Sequence, residues 1–490
     1  MRASLSPANV IHKNRAALLV MLVLALPIVI PTAVASATDS SSSSTASSDS
    51  DNPSLSEMDT YDALAIAFIV VGMAVSSAGG VGGGVIMVPA MVLIMGFDIK
   101  RATPVSNVAI LGGAVANAWF NMHKRHPSAD RPLIDAELAL GMIPVVIGGT
   151  VLGALINKLL PSYIVSLLFV VVLAVSGTRM TMKGIRLYRT ESAKQTEADA
   201  AASKVTTDEQ NSLDAYTQAD TPKTSSNADC VDDKPATAPS TVGDAVSLNV
   251  VATGNEGVAV DALENILEKE RHFAWRKHAA ILVCYLGVVA TSIGDASVDC
   301  GGVAYWVILL VEIPWVAVFV VLTSHYLHQE YLRKAEVDYP YVGGDIRWTQ
   351  KTVVFFPLGC ALGGLVAGMF GVGGGIITGP IMIEMGIVPE VASSTMALMI
   401  LYSSAAATAK YTVFNVIAWD WATLLCGVTF VVTSVAQVVI LGFVRRSGRQ
   451  SIIVLCISTA VVLGTILMTY QAVKTTIDDA GKPFSADICS

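Results

Sequence analysis

The chain has 490 residues, of which 53% are hydrophobic and only 14% are charged, and its mean hydropathy is +0.60. This balance excludes an ordinary soluble globular domain and indicates an integral membrane protein. The formal net charge of −8 arises mostly in one polar interval between about residues 190 and 270, and the lack of a basic domain argues against nucleic acid as a partner.

Residues 1–37 have the three parts of a secretory signal. Basic residues precede an apolar run from Ala16 to Ile30, and the small-residue sequence AVASA follows at 33–37. We expect a cleaved signal peptide, with an uncleaved anchor helix as the alternative. Residues 38–60 are rich in Ser and Asp and are expected to form a disordered tail. This N-terminus predicts a protein of the secretory pathway, in the plasma membrane or an endomembrane.

Apolar runs near the length needed to cross a hydrocarbon core of about 30 Å recur through the rest of the chain. Twelve are predicted, at 62–79, 81–96, 104–120, 138–156, 163–182, 279–293, 303–324, 352–370, 372–388, 393–414, 420–444 and 450–470. The fold class is therefore predicted to be an all-α integral membrane protein with about twelve transmembrane helices.

The sequence GVGGG occurs twice, at 80–84 and at 371–375, each time between apolar runs. Glycine costs about 1 kcal/mol relative to alanine inside a helix, so each stretch predicts a helix break. Pro89 and Pro380 follow the two stretches at the same distance, and Ala102 and Ala392 recur with one deletion. These shared positions predict an internal repeat, with a first repeat at 61–182 and a second at 351–472.

The basic loops predict how the repeats are oriented. If every segment crosses and the Ser-rich tail is outside, basic groups at 124–131, 183–189, 271–277 and 445–449 all lie in the cytosol. Seven crossings then separate the repeats, which makes them inverted. Re-entrant GVGGG segments would instead give parallel repeats, but would place the first three basic groups outside. We therefore predict an inverted repeat.

The same topology assigns the remaining segments. Residues 183–277 become an acidic cytosolic linker, mostly disordered, whose end has the spacing of a surface helix. Residues 278–326 form two connecting transmembrane helices, and 473–490 form a C-terminal tail outside the cytosol.

Broken helices in two repeats are the layout of secondary transporters, which bind substrate where the breaks meet. A helix N-terminus offers free N–H groups and a partial positive charge, which suit an anion. Hydroxyl and amide side chains follow each break and are either helix caps or further ligands. The predicted substrate-binding residues are Gly82, Gly83, Gly84, Thr103, Ser106, Asn107, Gly373, Gly374, Gly375, Ser393, Ser394 and Thr395.

Few charged residues lie within the predicted spans. Glu312 is nearest a midplane and is the candidate for ion coupling, with a structural helix contact as the alternative. Glu384 and Lys410 lie close enough to segment ends for their charges to reach the surface. No catalytic, cofactor or metal-ligand pattern is recognised, so neither an enzyme nor a metal site is expected.

Two further stretches accompany the paired GVGGG segments: HKRHPSADRPLIDAELAL at 123–140 and CGGVAYWVILLVEIP at 300–314. Together they resemble the TauE/SafE family of sulfite exporters, also called toluene sulfonate uptake permeases, in the longer form of plants and other eukaryotes. The likeness covers most of residues 60–472. It implies secondary transport of small sulfur-containing anions such as sulfite or sulfonates. Thr103 is followed by Pro104, whereas the family often has adjacent Thr and Ser there.

The sequence thus predicts a transporter of a small anion embedded in a lipid bilayer. The alternative function is a membrane scaffold with a vestigial transport core, whose linker at 183–277 binds a cytosolic partner. Whether the chain forms a homo-oligomer is left open.

Overall fold

The computed structural model describes residues 60–78, 82–217, 254–296, 298, 302–447 and 451–478. The predicted signal peptide and the Ser-rich tail up to residue 59 lie outside the described residues. Thirteen helices cover most of the described part: α1 Thr60–Ala78, α2 Gly84–Leu93, α3 Ile99–Met122, α4 Ala136–Leu159, α5 Ser162–Thr217, α6 Gly254–Arg271, α7 Trp275–Ala296, α8 Val303–Glu336, α9 Gln350–Phe370, α10 Gly375–Glu384, α11 Pro389–Val413, α12 Trp419–Ser447 and α13 Ser451–Asp478.

Every predicted membrane segment corresponds to one of these helices, which confirms the all-α membrane fold. Within the described residues, nine helices are long and apolar enough to cross a membrane. Helices α2 and α10 have 10 residues each, and at about 1.5 Å per residue they are only about 15 Å long. Helix α3 has 24 residues but carries Asn107, Asn117 and Asn121, which lower its mean hydropathy.

Contacts between the two halves occur in matched pairs. Under the correspondence of α1–α5 with α9–α13, the contact between α4 and α9 is matched by the contact between α12 and α1. In the same way, the contact between α3 and α12 is matched by the contact between α11 and α4. The contact between α2 and α13 is matched by the contact between α10 and α5. Two further contacts join corresponding helices of the two halves, namely α3 with α11 and α5 with α13. This pattern is what a two-fold relation between α1–α5 and α9–α13 requires. Helix α11, in which every residue from Val391 to Tyr411 is buried, lies at the centre.

One end of the bundle gathers the loops rich in basic residues, and we call it the basic end. There Arg131 pairs with Asp345, and Arg125 donates to the carbonyl oxygen of Arg271 over 3.0 Å. At the opposite end, the Lys158 ammonium lies 5.0 Å from the centre of the Phe414 ring. The loops at 123–135, 271–274 and 337–349 therefore meet at the basic end.

The predicted linker differs from the expectation of disorder. Its first part continues α5 as far as Thr217, and α6 occupies Gly254–Arg271. Residues 191–205 are rich in Ala, Glu and Lys, which favour helix, and a helix that has already formed extends at low cost. Helix α6 lies where the sequence predicts a helix at the end of this interval, and its position at the membrane surface stays a prediction. Residues 218–253 lie outside the described residues.

Candidate functional site

Both GVGGG stretches form breaks between helices, as the sequence predicts. Gly82 and Gly83 have φ angles of 85° and 71°, and Gly371 and Gly373 have angles of 66° and 72°. Only glycine adopts this left-handed region without strain. The short helices α2 and α10 begin directly after the breaks, and no side chain caps either N-terminus. The first amide groups of both helices are therefore left without a side-chain acceptor.

The two breaks contact each other inside the bundle. A Cβ atom added at Gly84 would lie 2.6 Å from the carbonyl oxygen of Gly371 and 2.6 Å from the Cα of Val372. Ser106 of α3 donates its hydroxyl to that same Gly371 carbonyl oxygen. At these positions the absence of a side chain serves backbone-to-backbone packing of the two halves.

A small cavity of about 10 Å³ lies beside the first break. That volume holds about one water molecule, so the cavity as described is smaller than a multi-atom anion. The cavity is lined by residues of α1, the first break, α3, α11 and α12: Met73, Ser77, Gly82, Gly113, Ala114, Asn117, Ala397, Ile400 and Thr433.

A chain of hydrogen bonds leads from this cavity to the basic end. The Gln437 amide donates to the Ser77 carbonyl oxygen over 3.0 Å and to the Asn117 side-chain oxygen over 2.6 Å. Asn121 donates to the same Asn117 oxygen over 2.8 Å, and the Lys124 ammonium donates to Asn121 over 2.7 Å. A continuous polar path therefore joins the interior beside the break to a lysine at the end of α3.

Two buried hydroxyl groups near the breaks have no hydrogen-bond partner within the described residues. They belong to Thr433, which lines the cavity, and Thr103, which lies against Gly371; the two side chains are 1% and 0% exposed. A buried hydroxyl without a partner costs free energy, so a ligand that accepts its hydrogen bond would recover that cost.

The structure brings together only part of the predicted set of donors. Thr103, Ser106 and Asn107 lie in the interior of α3, whose N-cap is Asp98, so the capping alternative is wrong for them. Ser106 reaches the second break, whereas the Asn107 amide bonds to the Thr103 carbonyl oxygen over 3.1 Å.

The corresponding residues of the second half also lie inside a helix, because α11 begins at Pro389. Ser394 donates to the Leu133 carbonyl oxygen over 3.2 Å, and the Thr395 hydroxyl accepts from the Asp135 N–H over 3.2 Å. Ser394 and Thr395 therefore hold the loop before α4. Ser393 is 7% exposed on the same turn.

The sequence interpretation missed Ser77, Asn117, Thr433 and Gln437. A signal for them was present, because Thr433 and Gln437 are polar residues four apart within an apolar segment. Such spacing places both side chains on one helix face. Without the packing of α12 on α3, nothing distinguishes that face from a lipid-exposed one.

A second polar site surrounds Glu312. The Lys410 ammonium lies 2.6 Å from a carboxylate oxygen of Asp295 and 3.1 Å from one of Glu312. The three side chains are 0%, 1% and 4% exposed, so Lys410 is fully buried rather than reaching the surface as expected. The second carboxylate oxygens of Asp295 and Glu312 have no partner among the described residues.

Helix α11 connects the two sites. It supplies Ile400 to the cavity and Lys410 to the charged cluster, and ten residues of helix separate them by about 15 Å. A shift of α11 along or about its axis would therefore change both sites together.

Comparison with known proteins agrees with this architecture. The family described as Sulfite exporter TauE/SafE matches residues 63–207 and 260–463. The chain is 28% identical to Sulfite exporter TauE/SafE family protein 3 of Arabidopsis thaliana, over 81% of this chain and 75% of that protein. It is 26% identical to family protein 2 of the same plant, over 84% of this chain and 83% of the relative. No solved structure matches. The chain belongs to the TauE/SafE family of multi-pass membrane transporters.

Proposed function

We propose that the protein is a secondary transporter of a small sulfur-containing oxyanion, such as sulfite or a sulfonate, and that it binds this anion beside Gly82. The observation that carries the proposal is the small cavity beside the first break, where the unpartnered hydroxyl of Thr433 and the Asn117 side chain line the same space. The substrate class follows from the naming of the family and of its Arabidopsis members as sulfite exporters.

Neutral donors suit this task. An oxyanion needs several N–H or O–H groups, and hydroxyl, amide and backbone donors supply them without a permanently buried charge. The uncapped N-terminus of α2 adds a partial positive charge at Gly83 and Gly84. Glycine at 82 leaves the backbone accessible from the cavity.

The inverted relation of the halves is part of the proposal. The connection between α2 and α3 lies at the end opposite to the basic end, where Asp98 accepts from Ser162 over 3.2 Å. The corresponding connection between α10 and α11 lies at the basic end, where Val388 packs against Gly344. Corresponding connections at opposite ends support an inverted repeat, in which alternating access moves one half against the other around a central site.

Coupling is assigned to Glu312. Two carboxylates and one ammonium buried together carry an excess negative charge, which is costly unless a proton or cation joins them. We assign that role to a proton taken up by Glu312. Helix α11 then transmits the change in charge to the cavity.

The binding site is tested by two matched threonine variants of α12. Thr433→Val removes the unpartnered hydroxyl at constant shape, and sulfite flux into proteoliposomes should fall by about tenfold or more, because a hydrogen bond to an anion is lost. Thr429→Val is the control, because its hydroxyl already donates to the Ala109 carbonyl oxygen over 2.5 Å. Normal flux and sulfite affinity in Thr433→Val would disprove the site.

The coupling assignment is tested with an imposed pH gradient. Wild-type flux should respond to the gradient, and Glu312→Gln should lose that response because the amide takes up no proton. Glu384→Gln is the control, because this carboxylate is 47% exposed and lies away from Lys410. An unchanged response in Glu312→Gln would remove Glu312 from the mechanism while leaving the anion site intact.

A further inference from the structure

A large cavity of about 960 Å³ opens at the basic end, between α6, the start of α7, the end of α8 and the start of α4. One wall is a single stripe of α8 that contains Phe319, Leu322, Tyr326, Glu330 and Arg333. Spacings of three and four residues place these side chains on one helix face, and the 15 residues from first to last extend over about 21 Å.

The stripe changes in chemistry along its length. It is apolar at Phe319 and Leu322, amphipathic at Tyr326 and charged from Glu330 to Arg333. Leu322 is 60% exposed and Trp275, on the opposite wall, is 43% exposed. Tryptophan and tyrosine are the residues that favour the level of the lipid headgroups. The cavity therefore runs from the hydrocarbon region to the polar surface.

The charged part of the cavity is positive. Six Lys or Arg residues and four Asp or Glu residues line it, and Asp345 pairs with Arg131 from outside the lining, which leaves an excess of one positive charge. Glu137 accepts from Lys277 over 3.0 Å and from Lys334 over 2.8 Å, so it neutralises inner cations. Two exposed cations, Lys269 and Arg276, have no ion pair within the described residues.

The ion pairs of Glu137 and Glu270 with Lys277 and Lys334 hold α6 in place, so these four side chains are not available to a ligand. Lys334 also pairs with Glu270 of α6 over 2.7 Å, and the Tyr339 hydroxyl donates to Glu270 over 2.5 Å. Burial and the bond to Glu270 raise the pKa of Tyr339, so this hydroxyl stays a donor at neutral pH. The acids are thereby engaged, and the positive charge that remains faces the open cavity.

We propose that this cavity binds an anionic membrane phospholipid, with its phosphate at Arg276 and Lys269 and its acyl chain along Leu322 and Phe319. Arginine pairs well with phosphate, and basic residues at the membrane surface attract anionic lipids. A soluble anion uses only the charged end, whereas a phospholipid also covers the exposed apolar wall. The lipid contacts α6, α7 and α8 together and fastens the end of the linker to the transmembrane bundle.

Thermal unfolding of the purified full-length protein in detergent tests this site. Dioctanoyl phosphatidylserine should raise the midpoint, because a ligand that binds the folded state stabilises it. Dioctanoyl phosphatidylcholine, which has the same chains and no net charge, and glycerol phosphate, which has no chains, should leave it unchanged. An equal shift with phosphatidylcholine would disprove charge selection, and an equal shift with glycerol phosphate would assign the cavity to a soluble anion.

The residues are tested by Lys269→Ala/Arg276→Ala. Both side chains are exposed, so the midpoint without lipid should stay at the wild-type value, while phosphatidylserine affinity should fall by about tenfold or more. Lys351→Ala is the control, because Lys351 is also exposed but does not line the cavity. Leu322→Gln should weaken phosphatidylserine binding through the acyl chain. Wild-type affinity in the double variant would overturn the proposal.

Discussion

The two glycine breaks share one sequence but differ in their surroundings. Asn157 of α4 and Gln437 of α12 make corresponding hydrogen bonds beside the two breaks. The Asn157 amide donates to the Met369 carbonyl oxygen over 2.6 Å, and the Gln437 amide donates to the Ser77 carbonyl oxygen over 3.0 Å. Four residues before them lie Gly153 and Thr433. A Cβ at Gly153 would lie 2.1 Å from the Leu365 carbonyl oxygen, so α4 and α9 touch directly.

At the first break Thr433 occupies the corresponding place and lines the small cavity. The second break therefore lies beside a close helix–helix contact and the first beside a cavity, and Thr433 in place of Gly153 is one difference between them. An identical GVGGG motif permits both outcomes, because its glycines supply only freedom of the backbone and close approach. The neighbouring helix decides how that freedom is used.

The largest expected effect comes from making the second break resemble the first. Gly153→Thr places a Cβ 2.1 Å from a backbone oxygen that cannot move aside cheaply, and should lower the free energy of unfolding by about 3 kcal/mol or more. Thermal unfolding in detergent measures this loss. Gly427→Ala is the control, because nothing lies within 4 Å of its Cβ position. A wild-type midpoint for Gly153→Thr would show that the α4–α9 contact is looser than described.

A smaller difference in stability is expected between variants of Gly83 and Gly374, the glycines that directly precede the two short helices. Gly83→Ala should cost about 2 kcal/mol, because φ is 71° and the new Cβ meets the Met73 sulfur. Gly374→Ala should cost less than about 1 kcal/mol, because φ is −64° and the nearest atom is 3.2 Å away. Chemical denaturation of both variants checks the order. Equal costs would contradict the asymmetry of the breaks.

The next largest loss of stability is expected from removing the amide donors Asn157 and Gln437. Asn157→Leu leaves the Met369 carbonyl oxygen without its side-chain donor, and Gln437→Leu removes the shorter of two amide bonds to the Ser77 carbonyl oxygen, the other coming from Asn117 over 3.5 Å. Each change should cost about 1–2 kcal/mol. Gln437→Leu should also weaken sulfite binding, since Gln437 holds Asn117 at the cavity, while Asn157→Leu should not. Calorimetric titration with sulfite distinguishes them. Weaker binding in both variants would mean that the second break also contributes to the site.

The smallest effect concerns the turns that follow α2 and α10. Gly96 and Gly386 have φ angles of 73° and 87°, and nothing lies within 4 Å of either Cβ position. Alanine at either position should therefore cost about 1 kcal/mol from backbone strain alone, and the two costs should agree. Midpoints of the two variants that differ by several degrees would show that the asymmetry extends beyond the breaks.

Much of the fold follows from local features of the sequence. The apolar runs predict the helices, since a segment in lipid must satisfy its own backbone hydrogen bonds. The two GVGGG stretches predict the breaks, and the shared prolines predict matching short helices. The helical extension of α5 to Thr217 was not predicted, because its composition is that of a solvated chain as much as that of an exposed helix.

The site was predicted less completely. The glycines Gly82 to Gly84 were identified correctly as part of a break, and Glu312 as a buried charge, because both violate the rules of a membrane helix. The sequence predicts that the charge of Lys410 reaches the surface, because distance from a helix end says nothing about which side chains surround a residue. Its partners Asp295 and Glu312 come from other helices, 115 and 98 residues away in the chain.

What the sequence alone determined is therefore everything that one helix or one turn decides: which segments enter the membrane, where the backbone must bend and which residue types are available there. Only the tertiary structure decides which of the two breaks lies beside a cavity. Ser106 meets the second break, and Thr433 meets the first, only because α3 and α12 pack across the two halves. Such contacts depend on the relative positions of helices far apart in the chain, and no local pattern encodes that distance.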